Sequence, residues 1–235
     1  DYPVIFGQLT KRDGSFLVAK TAQPDFKWTD LRGKHILAGR IGGVPAMTVQ
    51  YVINKAGLDE KTDLRFNTDV AFNMMGPVFE SDDTVDYTTL FEPTASEFVE
   101  AGKGYIVAAV GKDSGEIPYT SFSASKSYIA ANPELIKGFL RAIVKGYNFI
   151  KENTPETVAP FLTPSFSGTS EKSAAMALKS YIEIDAWCST PVFTESSYIK
   201  LQDVMQNAGF LESRVTFTSA VDNTFAEAIA AEFAK

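Results

Sequence analysis

The sequence predicts an α/β protein of two lobes, one inserted into the other. Three observations predict it. Strand and helix patterns alternate between residues 33 and 118, the mark of βαβ units around a mainly parallel sheet. Two polar connectors, near 21–33 and 111–119, bracket that segment, so the chain crosses twice between the lobes. Nearly everything after residue 125 reads as helix. The expected division is lobe I from 1–32 with 119–235, and lobe II from 33–118. A double crossing of this kind is a hinge, and a cleft between two α/β lobes is suited to enclosing a small molecule.

The elements follow in order. Val4 to Gln8 alternates as a strand, "TKRDGS" is a polar turn, and Phe16 to Lys20 is a second apolar run, which predicts a hairpin or two neighbouring strands. "QPDFKWTDLRGK" is a connector with a short helical turn, and "HILAG" is a short buried strand. The next helix carries Ala46, Val49, Val52, Ile53 and Ala56 at helical spacing, with Pro45 suited to its first position and Gly57 to its stop. Its N-cap position falls on Val44, which has no side-chain oxygen for the free backbone N–H groups of Val44, Ala46 and Met47.

A helix is expected over Val70 to Met75, limited by Gly76 and Pro77. "VDYTTLFEP" supplies a strand ending at Pro93, "TASEFVEAG" a helix, and Gly104 to Val110 another strand. "YTSFSAS" is one more strand. Asn132 then caps a helix with apolar residues at 135, 136, 139, 140, 143, 144 and 147. Further helices are expected for "PETVAPFL", Glu171 to Ile184, Glu195 to Ala208 with Gly209 as terminator, and the tail "DNTFAEAIAAEFAK".

Composition narrows the function classes. The 235 residues are 45% hydrophobic, enough for a true core, and the net charge is −7. Lys and Arg are scattered, so the chain has neither the footprint of a nucleic-acid binder nor that of an anionic-membrane binder. The single Cys188 excludes an internal disulfide, and with the single His35 it cannot build a His/Cys metal site, so no cofactor is expected. No stretch approaches the roughly 20 apolar residues of a membrane span. The chain begins directly on a strand pattern, without a basic then apolar leader, as a processed or truncated chain would.

No G-x-S-x-G elbow, phosphate loop, H-E-x-x-H helix or G-x-G-x-x-G fingerprint occurs. His35 lies in a strand and Cys188 in an aromatic turn, both read as packed rather than reactive; Asp82 and Asp83 read as solvated. The binding candidates are strand-end loops. Gly42, Gly43, Val44 and Pro45 allow close backbone approach at a positive helix end, suited to an anionic or carbonyl group; a plain strand-to-helix turn is the alternative. Phe91 can stack on a planar ring and Glu92 can accept from ring or amine N–H groups. Gln8, Thr10, Arg12 and Asp13 are candidate polar contacts from the other lobe, and Asn73 and Tyr119 complete the set.

The order of "FGQLTKRDGSFLV", "LRGKHILAGRIGGVPAMTVQYVINKAGLD", "VDYTTLFEPTASEFVEAGKGYIVA", "YIAANPELIKGFLRAIVKGYNFI" and "DAWCSTPVFTESSYIKLQDVMQNAGFL" resembles the type II solute-binding proteins of ABC importers, in the SsuA/NMT1/THI5-like group. The resemblance implies a two-lobed type II periplasmic-binding-protein fold and a monomeric receptor, extracytoplasmic or lipid-anchored. Such a receptor hands a small solute to a membrane permease, and it is not an enzyme. It implies a solute of the sulfonate, nitrate or thiamine-precursor class, met by Gly42 to Pro45 and by the acidic position Glu92. It also implies a βαβα unit ahead of the first strand, which this chain lacks. The yeast pyrimidine synthase of the same superfamily needs a cysteine-rich motif and a histidine used as substrate. One Cys and a strand-bound His35 do not supply that chemistry. The remaining alternatives are a biosynthetic enzyme on this fold and an interaction module with no small ligand.

Overall fold

The computed structural model describes residues 1–234. The expected tail helix was drawn to Lys235, which lies outside them. Two sheets organise the chain. In the first, β1 (Pro3–Thr10) pairs antiparallel with β7 (Thr120–Ser125), Pro3 opposite Ser125 and Thr10 opposite Thr120. The second has the order β4-β3-β5-β2-β6, with β2 at Ser15–Ala19, β3 at His35–Leu37, β4 at Arg65–Asn67, β5 at Tyr87–Phe91 and β6 at Tyr105–Ala109.

The hairpin expected from β1 and β2 does not form. β2 lies between β5 and β6 and runs antiparallel to both, while β3 is parallel to β4 and β5. The reason is burial: all five residues of β2 are buried, so it satisfies both edges and both faces only at the centre of a sheet. The second sheet is therefore mixed rather than mainly parallel, and the first is an antiparallel pair. The other edge of β1 is occupied by irregular chain: Cys188 N–H donates to Leu9 O (3.2 Å), Gln8 N–H to Pro191 O (2.9 Å) and Asp222 N–H to Ile5 O (2.8 Å).

This topology moves the first crossing. Lys11 to Gly14 carry the chain from one sheet to the other, and residues 21–33 stay with the second sheet, where Phe26, Trp28 and Leu31 pack on Leu17, Ile36 and Tyr87. The expected boundary at residue 33 is displaced to the end of β1. The second crossing, after β6, runs through α4 (Val110–Ser114) to Tyr119.

α1 (Val44–Lys55) buries Ala46, Met47, Val49, Val52 and Ile53, as its spacing predicts. The helix expected over 70–75 is instead a short 3-10 turn, Phe72–Met74, and α2 begins where the pattern was expected to stop, at Met75–Ser81. Pro77 sits in the first turn of α2, where its missing N–H leaves no bond unmade. α3 (Thr94–Glu100) and α4 complete the second unit.

After β7 come α5 (Lys126–Ala131), α6 (Pro133–Glu152), α7 (Pro155–Leu162), α8 (Glu171–Glu183), α9 (Glu195–Asn207), α10 (Phe217–Ala220) and α11 (Thr224–Phe233). Thr154, Ser170 and Thr194 cap α7, α8 and α9 by accepting a backbone N–H three residues on. Asn132 starts α6 without such a bond; its amide donates back to Tyr128 O at 2.9 Å. Ile136, Leu140, Val144 and Tyr147 form the buried stripe of α6, set against Val4, Phe6 and Ile229. Leu135 stays 56% exposed, outside that stripe. Two contacts tie the helices to the second sheet: Tyr181 and Ile184 pack on Phe16 and Val18, and Val204 packs on Met47. No described helix is long and apolar enough to cross a membrane.

Candidate functional site

The first crossing is the floor on which the site is built. Gly111 passes so close to it that a Cβ there would lie 2.0 Å from Asp13 O, so only glycine fits. At Gly14 a Cβ would meet the Tyr181 ring at 3.2 Å and the Phe91 ring at 3.3 Å, which places aromatic edges directly over the chain. Lys11 and Arg12 turn away from the rings, and Arg12 Nη1 donates to Gly111 O at 3.4 Å. Lys11 Nζ lies 2.7 Å from an Asp185 oxygen and 3.4 Å from Glu116, and Arg12 Nε donates to Asp185 O at 3.2 Å. Arg12, expected to meet a ligand, clasps the crossing instead.

Asp13 turns inward and is fully buried. Its Oδ1 accepts the Ser15 N–H at 2.7 Å and the Ser15 hydroxyl, while Oδ2 has no partner. The Thr48 hydroxyl lies beside the carboxyl but spends its proton on Val44 O, at 2.7 Å. Burial pushes the carboxyl up to about 6, against the opposing pull of the Ser15 and Thr48 contacts.

Above Asp13 stands the start of α1. The N-cap is Gly43, one residue before the expected Val44, and it gives no side-chain cap. Met47 N–H, expected to be free, donates to Gly43 O at 3.1 Å. Pro45 has no N–H, so Val44 and Ala46 carry the two donors left without a partner among the described residues. Gly42 has φ +70, and a Cβ there would sit 3.4 Å from the Phe210 ring; at Gly43 it would meet only its own turn, Arg40 O at 3.0 Å. Gly42 is thus the glycine that permits a close approach from outside the loop, and the ring that makes it belongs to the chain just after α9.

Aromatic rings gather over the crossing from several elements. Phe91, at the end of β5, has its ring centroid 5.4 Å from Phe72 and 6.1 Å from Tyr119, the latter at 30°. Tyr181 on α8 packs on Phe16 at 6.1 Å and on Trp187 at 6.3 Å, and its hydroxyl accepts Glu92 N–H at 3.2 Å. Burial drives both phenols, Tyr119 and Tyr181, well above the ordinary tyrosine range, and the Asp13 charge adds to the effect. Val44 packs with Tyr119 against Val204 and Met205 of α9.

Several expected contacts serve the fold instead. The Glu92 carboxylate accepts Ser96 N–H at 3.0 Å and the Ser96 hydroxyl at 2.7 Å, which caps the start of α3. Gln8 is buried, its side-chain amide donating to Thr10 O at 3.0 Å and its backbone carbonyl accepting the Tyr147 hydroxyl. Thr10 Oγ1 accepts Thr120 N–H at 3.0 Å. Asn73 stands exposed in the 3-10 turn at the rim. Asp13, Gly42, Val44, Pro45, Phe91 and Tyr119 are the expected residues gathered near the crossing. Thr48, Tyr181 and Phe210 join them without any sequence signal, because each arrives from an element far along the chain.

The two other groups with chemical potential are engaged. His35 is buried, with Nδ1 3.1 Å from Thr84 O and Nε2 3.4 Å from the Asn67 amide nitrogen. Burial pushes the Cys188 thiol up to about 12. Among the described residues no group of three His, Cys, Asp or Glu is placed to hold a metal ion. Two cavities lie away from Asp13. One, of about 830 Å³, opens beside Lys11, Asp185 and Trp187; another, of about 530 Å³, lies along β6 beside Phe16 and Trp28.

The sequence pattern of the NMT1-like family matches residues 29–162. YtlA of Bacillus subtilis (strain 168), whose name describes it as a candidate binding protein, is 33% identical over 231 residues, which cover 98% of this chain and 69% of that protein. Among solved structures, the periplasmic aliphatic sulphonate binding protein SsuA of Escherichia coli is similar with a TM-score of 0.74 at 18% identity, over 94% of this chain and 69% of that one. The alkanesulfonate-binding SsuA of Xanthomonas axonopodis pv. citri, bound to MOPS, gives 0.70 at 16% identity, over 94% and 74%. The desulfurization enzyme DszB gives 0.65 at 13%, over 98% and 79%, so the same fold carries both receptors and an enzyme. With its match to the family pattern and a relative one-third identical along nearly its whole length, the chain belongs to the NMT1-like family, on the fold of the type II periplasmic binding proteins.

Proposed function

We infer that the protein is a solute-binding receptor of an ABC importer, which takes a small organic molecule between its two sheets and delivers it to a membrane permease outside the cytoplasm. One observation carries the reading. The two sheets are joined by two short crossings, and the groups gathered there come from both: Asp13 and Tyr119 from the crossings, Phe91 and Thr48 of α1 from the second unit, Tyr181 from the helices of the first. Such a site opens when the hinge opens and is completed when it closes. The binding-protein relatives support the receptor class. Their sulfonate ligands stay with them, since the identity of those structures to this chain is 16 to 18%.

A biosynthetic enzyme of the pyrimidine-synthase kind needs a free nucleophile or base. Cys188 is held protonated by burial and His35 is bound on both ring nitrogens, which weighs against that reading. The test is a thermal-shift screen with sulfonates, nitrate, pyrimidines, flavins and amino acids. A solute present at a hundred times its Kd adds about 2.7 kcal/mol, or roughly 5–10 °C for a chain of this size. A panel that leaves the midpoint unmoved overturns the receptor reading.

A further inference from the structure

We propose that the solute carries a positively charged nitrogen, donating an N–H to the free Oδ2 of Asp13 while its body lies against Phe91, Tyr119 and Tyr181. This rests on the receptor reading and narrows its ligand class. Five elements bear on Asp13: Ser15 on β2 and Thr48 on α1 lie against its carboxyl, the Gly111 backbone on α4 against its backbone, and Tyr119 on the second crossing and Tyr181 on α8 stand near enough to feel its charge. None of them is a cation. The two cations beside it in sequence, Lys11 and Arg12, are committed to Asp185 and Glu116.

A buried carboxyl with one oxygen unpartnered and no counter-ion is costly unless something else supplies the missing donor. Its surroundings point to what that is. Aromatic faces attract organic cations, most strongly where water is excluded. The nearby Glu92 carboxylate adds negative potential even though its own hydrogen bonds are taken by Ser96. An oxyanion at Oδ2 would face the Asp13 charge with no fixed cation to offset the repulsion, the open N–H groups of α1 being partial dipoles rather than full charges.

The experiment titrates the whole chain by calorimetry with benzamidinium and benzyltrimethylammonium, and with benzamide and benzenesulfonate as neutral and anionic counterparts. Benzamidinium is expected to bind at least tenfold more tightly than benzamide, because a charge-assisted hydrogen bond is about twice as strong as a neutral one. Its affinity is expected to fall about tenfold from pH 7 to pH 5, as Asp13, titrating at about 6, takes up a proton. Asp13→Asn is expected to remove both the preference and the pH dependence. Phe91→Leu is expected to weaken benzyltrimethylammonium several-fold, an aromatic contribution that does not depend on Asp13→Asn folding. Equal binding of benzamide or benzenesulfonate, a flat pH profile for benzamidinium, or full benzamidinium affinity in folded Asp13→Asn each overturns the proposal. Binding of benzenesulfonate alone overturns the charge assignment and leaves the receptor reading standing. If all four probes and the thermal-shift panel are inert, both fall together.

Discussion

Asp13 is the residue at which stability and binding pull apart. Its carboxyl titrates at about 6 in the fold against 3.8 in the unfolded chain, so the fold holds its proton more tightly than the unfolded chain does. That favours the fold fully only below about pH 4, and the advantage is lost as pH rises towards 6. The gap corresponds to about 3 kcal/mol at 1.36 kcal/mol per pH unit. Asp13→Asn keeps an acceptor for Ser15 and offers N–H groups towards Thr48. Its stability relative to the parent is therefore expected to rise between pH 4 and pH 7, by up to about 3 kcal/mol. Urea melts at several pH values check this; a difference that stays constant with pH would show that the buried carboxyl is balanced by something else. In sequence, Asp13 was one of four polar candidates of equal standing. A buried oxygen left without a partner separates it from Gln8, Thr10 and Arg12, whose side chains hold the backbone or the crossing.

At the scale of elements, the helix starts divide the work. Thr154, Ser170 and Thr194 cap their helices, Glu92 caps α3 from just before its N-cap, and α1 starts at Gly43 with no side-chain cap. Glu92→Ala is accordingly expected to cost about 1 kcal/mol of stability, as the loss of a cap does. Its cation affinity should change less than that of Asp13→Asn, which paired unfolding and binding curves would test. Helices such as α1 and α6 were legible because an apolar stripe at helical spacing has one reading. The 70–75 segment was not: Val70, Ala71 and Met74 look helical locally, but Pro77 is tolerated only in a first turn, which places the helix after them. β2 was misplaced for a similar reason. Five buried residues after a turn fit a hairpin or a central strand equally well, and the sheet decides.

For the whole molecule, the contact between Phe210 and Gly42 links the helices of the first unit to the loop before α1. Phe210 is 49% exposed, so its removal takes away little core. Phe210→Ala is expected to leave the melting midpoint within about 2 °C, equivalent to less than roughly 1 kcal/mol, while weakening the solute found by thermal shift at least several-fold. Unchanged affinity would mean that the ring covers a turn and not a binding site. By itself the sequence determined the fold class, the family and most helices, because periodicity, caps and motif order are local properties that survive without knowing what packs on what. Tertiary structure alone decided that β2 enters the second sheet, that the crossing lies at Lys11 to Gly14, that Thr48 and Tyr181 meet it, and that Phe210 meets Gly42. Those residues meet across separations of up to 168 positions between Gly42 and Phe210 (210 − 42). Contacts of that range leave no periodic trace in the chain; they exist only once two sheets, held a few residues apart, have folded against the same helices.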